Sequence, residues 1–170
     1  MSKSYEVYLS LGGNMGNRLE YLRFGINELK KKLNLIAIST IYETESWGYS
    51  DDAAYLNLVA HFRTHLNVHE LLNLFQKIEK NAGRNLNDKR VKGDYQARTL
   101  DIDILFYDKA VINERYIEIP HPRLHLRNFV LIPFAEINGS FVHPVLNKTI
   151  NELIRCSPDK SKVKSFERTL

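Results

Sequence analysis

Hydrophobic and polar positions alternate with two different periods along the chain, and the changes of period define its elements. Residues 5–11 (YEVYLSL) predict a strand, which the glycine-rich segment 12–16 follows as a tight turn. Apolar residues at helical spacing over 19–33 predict an amphipathic helix. Residues 35–44 predict a second strand. Residues 55–66 predict a third, antiparallel to the second across a wide loop.

The second half of the chain begins with a further amphipathic pattern. Residues 68–82 predict a helix that Gly83 ends as a C-cap. Residues 84–98 are polar and basic, which is typical of a long exposed loop with a binding function. Residues 99–107 (TLDIDILFY) are the strongest strand in the chain, and a short strand follows at 111–112.

A proline-punctuated loop then leads into an apolar segment, 128–137, that fits a helix or a strand. The resulting order, β-α-β-β-α-β with additions, predicts an α+β fold with a mainly antiparallel sheet and helices on one face. We expect residues 1–158 to form a single domain. The polar, basic segment 159–170 is expected to be a tail that frays in solvent.

Composition narrows the class of protein. The chain has 170 residues, 44% of them hydrophobic and 26% charged, which is ordinary for one globular domain. Its one cysteine excludes an internal disulfide, and it shows neither a signal-peptide pattern nor an apolar run long enough for a membrane span. A cytoplasmic location is the resulting expectation. The net charge of +4 suits either nucleic acid or a polyphosphate ligand.

The strand at 99–107 contains the most informative pair of residues, Asp101 and Asp103. Residues i and i+2 of a strand point to the same face, so both carboxylates project together while Leu100 and Ile102 point into a core. Neighbouring carboxylates repel each other and are costly to bury, and a divalent cation relieves both effects. Mg²⁺ is usually held by one or two protein carboxylates together with substrate phosphates. The alternative is an edge strand whose acids face water.

The loop before this strand carries the cations that a phosphate-transfer site needs. Its basic residues are Arg84, Lys89, Arg90, Lys92 and Arg98. Transfer from ATP depends on charge stabilisation and in-line positioning more than on covalent chemistry. The pattern therefore favours a metal-dependent phosphate-transfer site, with a solvated basic loop as the alternative.

Two further segments carry candidate ligand contacts. In IPHPRLHLRNF, His121 and Arg127 have the chemistry to donate hydrogen bonds to a phosphate. Tyr55 and Asn57 share one face of a strand, where a tyrosine stacks on a flat heteroaromatic ring and an amide bonds to its edge. For each of these residues a structural role or simple exposure is the alternative.

Four stretches, in this order, resemble the 6-hydroxymethyl-7,8-dihydropterin pyrophosphokinase family of folate biosynthesis. They are LSLGGNMGNR, YETESWGYSDDAAYLN, IEKNAGR…ARTLDIDILFY and IPHPRLHLRNFVLIPFAEI, and together they cover most of residues 8–137. The resemblance implies a ferredoxin-like βαββαβ core. It also implies that ATP binds before a reduced pterin, that pyrophosphate passes to the pterin hydroxyl, and that AMP leaves.

By position, the resemblance makes Asp101 and Asp103 the ligands of two Mg²⁺ ions and adds Arg84 and Arg98 as catalytic residues. The residues that it places around ATP are Gln76, Glu79, Arg98, Ile104, Arg115, His121 and Arg127. Those that it places in the pterin pocket are Thr44, Trp47, Tyr55, Asn57 and Phe129. The pterin ring is expected to stack between Tyr55 and Phe129.

The chain departs from the family pattern in the 84–98 loop. Where the family has GRxR, this chain has GRNL at 83–86, and where the family has WGPR it has YQAR at 95–98. Arg90 and Lys92 are the candidates to replace the missing cation, and Tyr95 is the candidate to replace the tryptophan.

Two other functions fit parts of the pattern. A ferredoxin-like sheet with a high isoelectric point is typical of RNA-binding modules, although the chain lacks their K/R-G-F/Y-G/A-F run. A nucleotidyltransferase with another acceptor would also use an Asp-x-Asp pair. We expect ATP and a pterin as ligands, neither nucleic acid nor membrane as a partner, and a monomer, with a weak dimer as the alternative.

Overall fold

The computed structural model describes residues 3–45, 53–83 and 97–167, which form an α+β fold. The helices of this part are α1 (Arg18–Lys30), α2 (Val68–Asn81), α3 (Asn128–Asn138) and α4 (Ile150–Cys156), with a 3₁₀ turn at Leu124–Leu126. Its strands are β1 (Tyr5–Gly13), β2 (Asn34–Ile38), β3 (Ile41–Thr44), β4 (Tyr55–Thr64), β5 (Asp101–Tyr107), β6 (Ile112–Glu114), β7 (Ile117–Ile119) and β8 (Val163–Glu167). In these three ranges, every helix is too short or too polar for a membrane span.

Six of the strands form one antiparallel sheet. The order along the sheet is β5-β1-β4-β3-β8, and β2 pairs with β4 next to β3. The predicted antiparallel pairing of the second and third strands is confirmed. β6 and β7 form a separate two-stranded hairpin.

Helices cover both faces of the sheet, whereas the sequence pattern predicted helices on one face, and that prediction was wrong. On the first face, α1 and α2 pack against alternate strand residues such as Leu9, Leu58 and Ile102. On the second face, α3 and α4 pack against a cluster that includes Tyr8 and Phe106. The central strands are therefore apolar on both sides wherever a helix covers them, and such strands lose the clean alternation of a half-buried sheet.

The glycine pair after the first predicted strand lies inside β1, so the turn expected over 12–16 begins later. A Cβ on Gly13 would lie 2.3 Å from the carbonyl oxygen of Thr99. The backbone that enters β5 therefore approaches β1 at a distance that only glycine permits. The chain turns at Gly16, where φ is +59°.

The second predicted strand, 35–44, is two strands because the ladder is interrupted at Ser39. The Ser39 hydroxyl accepts a hydrogen bond from the Val59 N–H at 3.0 Å, and the Ser39 N–H donates to the Val59 carbonyl. The next residue, Thr40, donates from its N–H and its hydroxyl to the Glu136 carboxylate of α3. The interruption thus joins the second helical layer to the sheet.

The boundaries of α2 follow its caps. The Asn67 side chain accepts from the Glu70 N–H, and the Glu70 side chain accepts from the Asn67 N–H, which forms a capping box. Gly83, with φ at +89°, lies just past the helix end as predicted.

The apolar segment 128–137, which the sequence pattern fitted to either a helix or a strand, is helix α3, with Pro133 inside it.

The C-terminal segment is part of the sheet and is not a frayed tail as predicted. Residues 159–170 were expected to fray, but Val163–Glu167 form β8, whose Val163 lies opposite Thr44 of β3. Pairing with β3 explains the order of this segment, because β3 would otherwise present unpaired N–H and C=O groups at that edge.

We predict that Gly13→Ala lowers the free energy of unfolding by about 2–3 kcal/mol, because the new methyl group overlaps the Thr99 carbonyl. Gly83→Ala is the matched control, since its Cβ meets no atom of residues 3–45, 53–83 or 97–167 within 4 Å and its positive φ carries a cost of about 1 kcal/mol. Urea unfolding of both variants measures the difference. Equal losses would contradict the close approach of Thr99 to β1.

Candidate active site

Asp101 and Asp103 lie at the start of β5, on the second face of the sheet. Their neighbours Leu100 and Ile102 are buried in the core of the first face, so the predicted alternation is confirmed. Asp101 lies opposite Gly12 of β1 in the strand register. The two carboxylates are half-buried and stand beyond the part of the face that α3 and α4 cover.

Arg98 lies against this pair. Its Nη1 is 2.7 Å from Oδ1 of Asp101. Burial by itself would lower the pKa of Arg98, but the negative charges of Asp101, Asp103 and Glu79 outweigh burial and raise it. The guanidinium is therefore a permanent positive charge next to the two carboxylates, at the position where the sequence predicted a cation.

Asn14 fixes the backbone of Arg98, and the sequence analysis did not single it out. The Asn14 N–H donates to the Arg98 carbonyl at 2.9 Å, and the Arg98 N–H donates to Oδ1 of Asn14 at 2.8 Å. Asn14 is 5% exposed, so few orientations of its side chain are available. An asparagine directly after a strand end is a sequence signal for a side-chain bond to nearby backbone at a turn, but it does not identify the distant Arg98 as the partner.

The predicted ATP residues of α2 and β5 have different surroundings. Glu79 is buried, and its Oε1 accepts from the Ile102 N–H at 2.9 Å, which joins α2 to the edge of β5 that faces away from β1. Gln76 lies one turn earlier on α2 and is exposed. The Ile104 side chain lies in the core of the first face, opposite to Asp101, so an ATP contact by Ile104 requires its main chain.

His121 lies between the hairpin and the 3₁₀ turn. Its N–H donates to the Leu105 carbonyl, and its Nδ1 accepts from the Arg123 N–H at 3.1 Å. In the neutral ring this arrangement leaves the proton on Nε2. Burial and, after it, the charge of Arg127 lower the pKa of His121 to about 4, although the charge of Asp101 opposes both.

Arg127 and Phe129 flank the first residue of α3. Arg127 is 8% exposed, and its Cζ lies 5.5 Å from the centroid of the Phe129 ring. This contact is a cation–π interaction. It joins a residue predicted to contact ATP to one predicted to contact the pterin.

Asn57 and Thr44 form the other half of the site on β4 and β3. Both are buried, and the Asn57 Nδ2 donates to the Thr44 Oγ1 at 2.8 Å. Tyr55 shares their face by strand alternation. Gly12 separates them from Asp101, and a Cβ there would lie 2.5 Å from Oδ1 of Asn57, so glycine keeps the space between the two halves open.

Arg18 is a second residue that the sequence analysis did not single out. Its Nη1 donates to the Ala54 carbonyl at 2.7 Å, and its Nη2 lies 3.0 Å from Glu43. It thereby joins α1 to the residues directly before Tyr55 and Thr44. Cations are disfavoured in the first turn of a helix, so an arginine at this position was the available signal of a tertiary contact.

Arg115 is the remaining predicted ATP residue within the described ranges. Arg115 lies on the exposed β6–β7 hairpin, with its Cζ 5.2 Å from the centroid of the Tyr116 ring. Its neighbour Glu114 pairs with His69 in the first turn of α2, whereas Glu79 lies in the last turns. Five predictions concern residues outside the described ranges, namely Trp47, Arg84, Arg90, Lys92 and Tyr95.

The chemistry of the donor set fits Mg²⁺. Within residues 3–45, 53–83 and 97–167, no three histidine, cysteine, aspartate or glutamate residues come together as a metal site. Asp101 and Asp103 therefore supply two carboxylates, which is too few for a structural zinc site. Two carboxylates suit Mg²⁺, which usually takes its other ligands from water and substrate phosphates.

Comparisons with known proteins agree on one family. The family model described as 7,8-dihydro-6-hydroxymethylpterin-pyrophosphokinase (HPPK) matches residues 8–139. The 2-amino-4-hydroxy-6-hydroxymethyldihydropteridine pyrophosphokinase of Aquifex aeolicus is 38% identical over 146 residues, covering 86% of this chain and 88% of the relative. The enzyme of that name from Bacillus subtilis is 37% identical over 163 residues, covering 94% and 95%.

Solved structures agree with the fold. A Plasmodium falciparum HPPK-DHPS superposes with a TM-score of 0.74 at 17% identity, over 91% of this chain and 44% of that one. The family match spans most of the chain, and the two bacterial relatives are covered almost end to end. The chain therefore belongs to the 7,8-dihydro-6-hydroxymethylpterin-pyrophosphokinase family.

Proposed function

We propose that this protein transfers pyrophosphate from ATP to the hydroxyl of 6-hydroxymethyl-7,8-dihydropterin, giving AMP and the pterin pyrophosphate used in folate biosynthesis. Membership of the family and the names of the bacterial relatives support this reaction. The observation that carries it is the placement of Asp101, Asp103 and Asn57 on one sheet face, with only β1 between them.

The β5 side of the site has the groups that a triphosphate requires. Arg98 is held by Asn14 and stays charged, so it presents a fixed cation to the phosphates. His121 is neutral at pH 7 because its pKa is about 4, and its Nε2–H acts as a hydrogen-bond donor without protonation. Two Mg²⁺ ions held by Asp101 and Asp103 would neutralise phosphate charge and lower the pKa of the attacking hydroxyl.

The β4 side has the groups that a pterin requires. The Asn57 amide is oriented by its hydrogen bond to Thr44. It can therefore form hydrogen bonds with the edge of the pterin ring, which carries both donors and acceptors. Tyr55 and Phe129 provide the aromatic surfaces between which we expect the ring to stack. The cleared space at Gly12 lets the pterin hydroxyl approach the phosphates.

We further propose that the core is ferredoxin-like. The order β5-β1-β4-β3, with α1 and α2 on one face, is what a βαββαβ unit with its last strand next to its first would give. The other expectations stay predictions, namely a single domain, which would extend past residue 158 because β8 belongs to the main sheet, a cytoplasmic location, a monomer, and the lack of nucleic-acid and membrane partners.

Product analysis tests the reaction directly. Protein, ATP, Mg²⁺ and 6-hydroxymethyl-7,8-dihydropterin should give stoichiometric AMP and pterin pyrophosphate, and EDTA should stop the reaction. Release of pyrophosphate in place of AMP would identify a nucleotidyltransferase. Failure of the folded protein to form either product would contradict the proposed function.

We predict that Asp101→Asn and Asp103→Asn each lower kcat by roughly 10²–10³-fold or more while the fold is retained, because each removes a carboxylate that would hold Mg²⁺ against the phosphates. Steady-state AMP formation and circular dichroism measure the two effects. Glu118→Gln, an acid-to-amide change at an exposed position of β7, is the control and should keep wild-type turnover. Near-normal activity of either aspartate variant would refute the metal assignment.

The low pKa of His121 predicts a stability that depends on pH. The folded state resists protonation of His121 down to about pH 4, whereas an unfolded histidine binds a proton below about pH 6.5. Stability should therefore fall as the pH drops from 6.5 towards 4, and His121 should account for up to about 2 kcal/mol between pH 7 and pH 5.

Urea unfolding of the wild type and of His121→Gln at pH 7 and pH 5 measures this contribution. Glutamine does not titrate in this range and its amide keeps a donor near the Nε2 position. The variant should lose less stability than the wild type on acidification. Equal losses would mean that His121 is not buried in its neutral form.

A further inference from the structure

The segment between α4 and β8 contacts the start of α3, where two of the candidate ligand residues lie. We propose that Asp159 is a positioning residue of the site, which holds the first turn of α3 and thereby the Arg127 and Phe129 side chains in their binding orientations. The proposal rests on the proposed function and assigns a role to a residue beyond the matched range 8–139.

Asp159 caps α3 from a distant part of the chain. Its Oδ2 accepts from the Asn128 N–H at 2.7 Å, and its main-chain carbonyl accepts from the Asn128 Nδ2 at 2.8 Å. The first N–H groups of a helix have no partner within the helix, and the residue at the N-cap, Arg127, supplies no side-chain acceptor. A carboxylate at this helix end also meets the positive end of the helix dipole.

Asp159 is itself held in place on both sides. Its Oδ1 accepts from the Ser161 N–H at 2.9 Å, and its N–H donates to the Ser157 hydroxyl at 3.2 Å. Ser157 is buried, at 7% exposure. The carboxylate therefore accepts one hydrogen bond from an N–H of α3 and one from an N–H of its own segment. A rotation of the carboxylate away from α3 would break both hydrogen bonds.

The same segment reaches the pterin half of the site. After Ser161 the chain enters β8, where Val163 lies opposite Thr44. Thr44 orients Asn57. Residues 157–163 thus connect the α3 side of the candidate pocket to its β3 side.

Asn128 lies between Arg127 and Phe129 in the chain, so a rotation of the first turn of α3 moves both side chains together. Their cation–π contact couples them further. Displacement of a positioning group by about 1 Å can lower activity by up to about 10²-fold. Loss of the Asp159 carboxylate should therefore weaken substrate binding, while the Asp101–Arg98 side remains unchanged.

The test compares Asp159→Ala and Asp159→Asn with Lys160→Ala, an exposed neighbour that serves as the control. Asp159→Ala should raise KM for the pterin and for ATP by about tenfold, and kcat at saturation should stay within about twofold of the wild type. Asparagine keeps one acceptor oxygen, so Asp159→Asn should give an intermediate KM. Lys160→Ala should match the wild type.

A purely structural role would give a different result, because partial unfolding lowers the amount of active protein and therefore kcat, with KM unchanged. That pattern, or an Asp159→Ala variant with wild-type KM values, would overturn the proposal. Amide exchange at Asn128 adds a readout that does not depend on activity. Exchange should be faster in Asp159→Ala, and unchanged exchange would also overturn the proposal.

The wild-type assay separates this proposal from the proposed function. AMP formation by the wild type with unaltered kinetics in Asp159→Ala would refute the role of Asp159 alone. Failure of the wild type to form AMP would refute the reaction itself, and the positioning role with it.

Discussion

Strand β1 pairs with β4 on one side and with β5 on the other, and the site depends on how closely these three strands come together. Adjacent strands lie about 4.8 Å apart, so the Asp101 side and the Asn57 side are separated by only roughly 10 Å. Gly12 and Gly13 permit this arrangement, because a side chain at either position would collide with Asn57 or with the backbone before β5. The candidate site is thus open between its Asp101 half and its Asn57 half because β1 has no side chain at Gly12.

The charged residues of the candidate site set the protonation states of their neighbours. Three acids, Asp101, Asp103 and Glu79, favour the charged form of the half-buried Arg98, while burial and the nearby Arg127 keep His121 neutral. Among the described residues predicted to contact ATP, the positive charge therefore lies on arginine side chains. An anionic ligand at the candidate site would meet, in Arg98 and His121, two donors whose protonation does not change near neutral pH.

The parts of the site that could be predicted from sequence are those that depend on local periodicity. Asp101 and Asp103 were placed on one face because strands alternate with period two, and the helix at 68–82 was found because its apolar residues recur at helical spacing. The second helical layer was missed because strands buried on both faces lose alternation. The contact of Asn14 with Arg98 joins residues 84 positions apart, and no local pattern encodes it.

Both edges of the sheet are occupied by other parts of the chain. At the β5 edge, the Glu79 carboxylate and the His121 N–H satisfy the backbone of Ile102 and Leu105. At the opposite edge β8 covers β3, and β8 is itself a five-residue strand that presents the exposed Lys164. Short strands and lysine at an edge disfavour pairing between copies. The segment 159–170, which the sequence predicted to be a solvent-exposed tail, therefore also disfavours aggregation. Without β8, the unpaired backbone N–H and C=O groups of β3 would be available for pairing with a strand of another molecule.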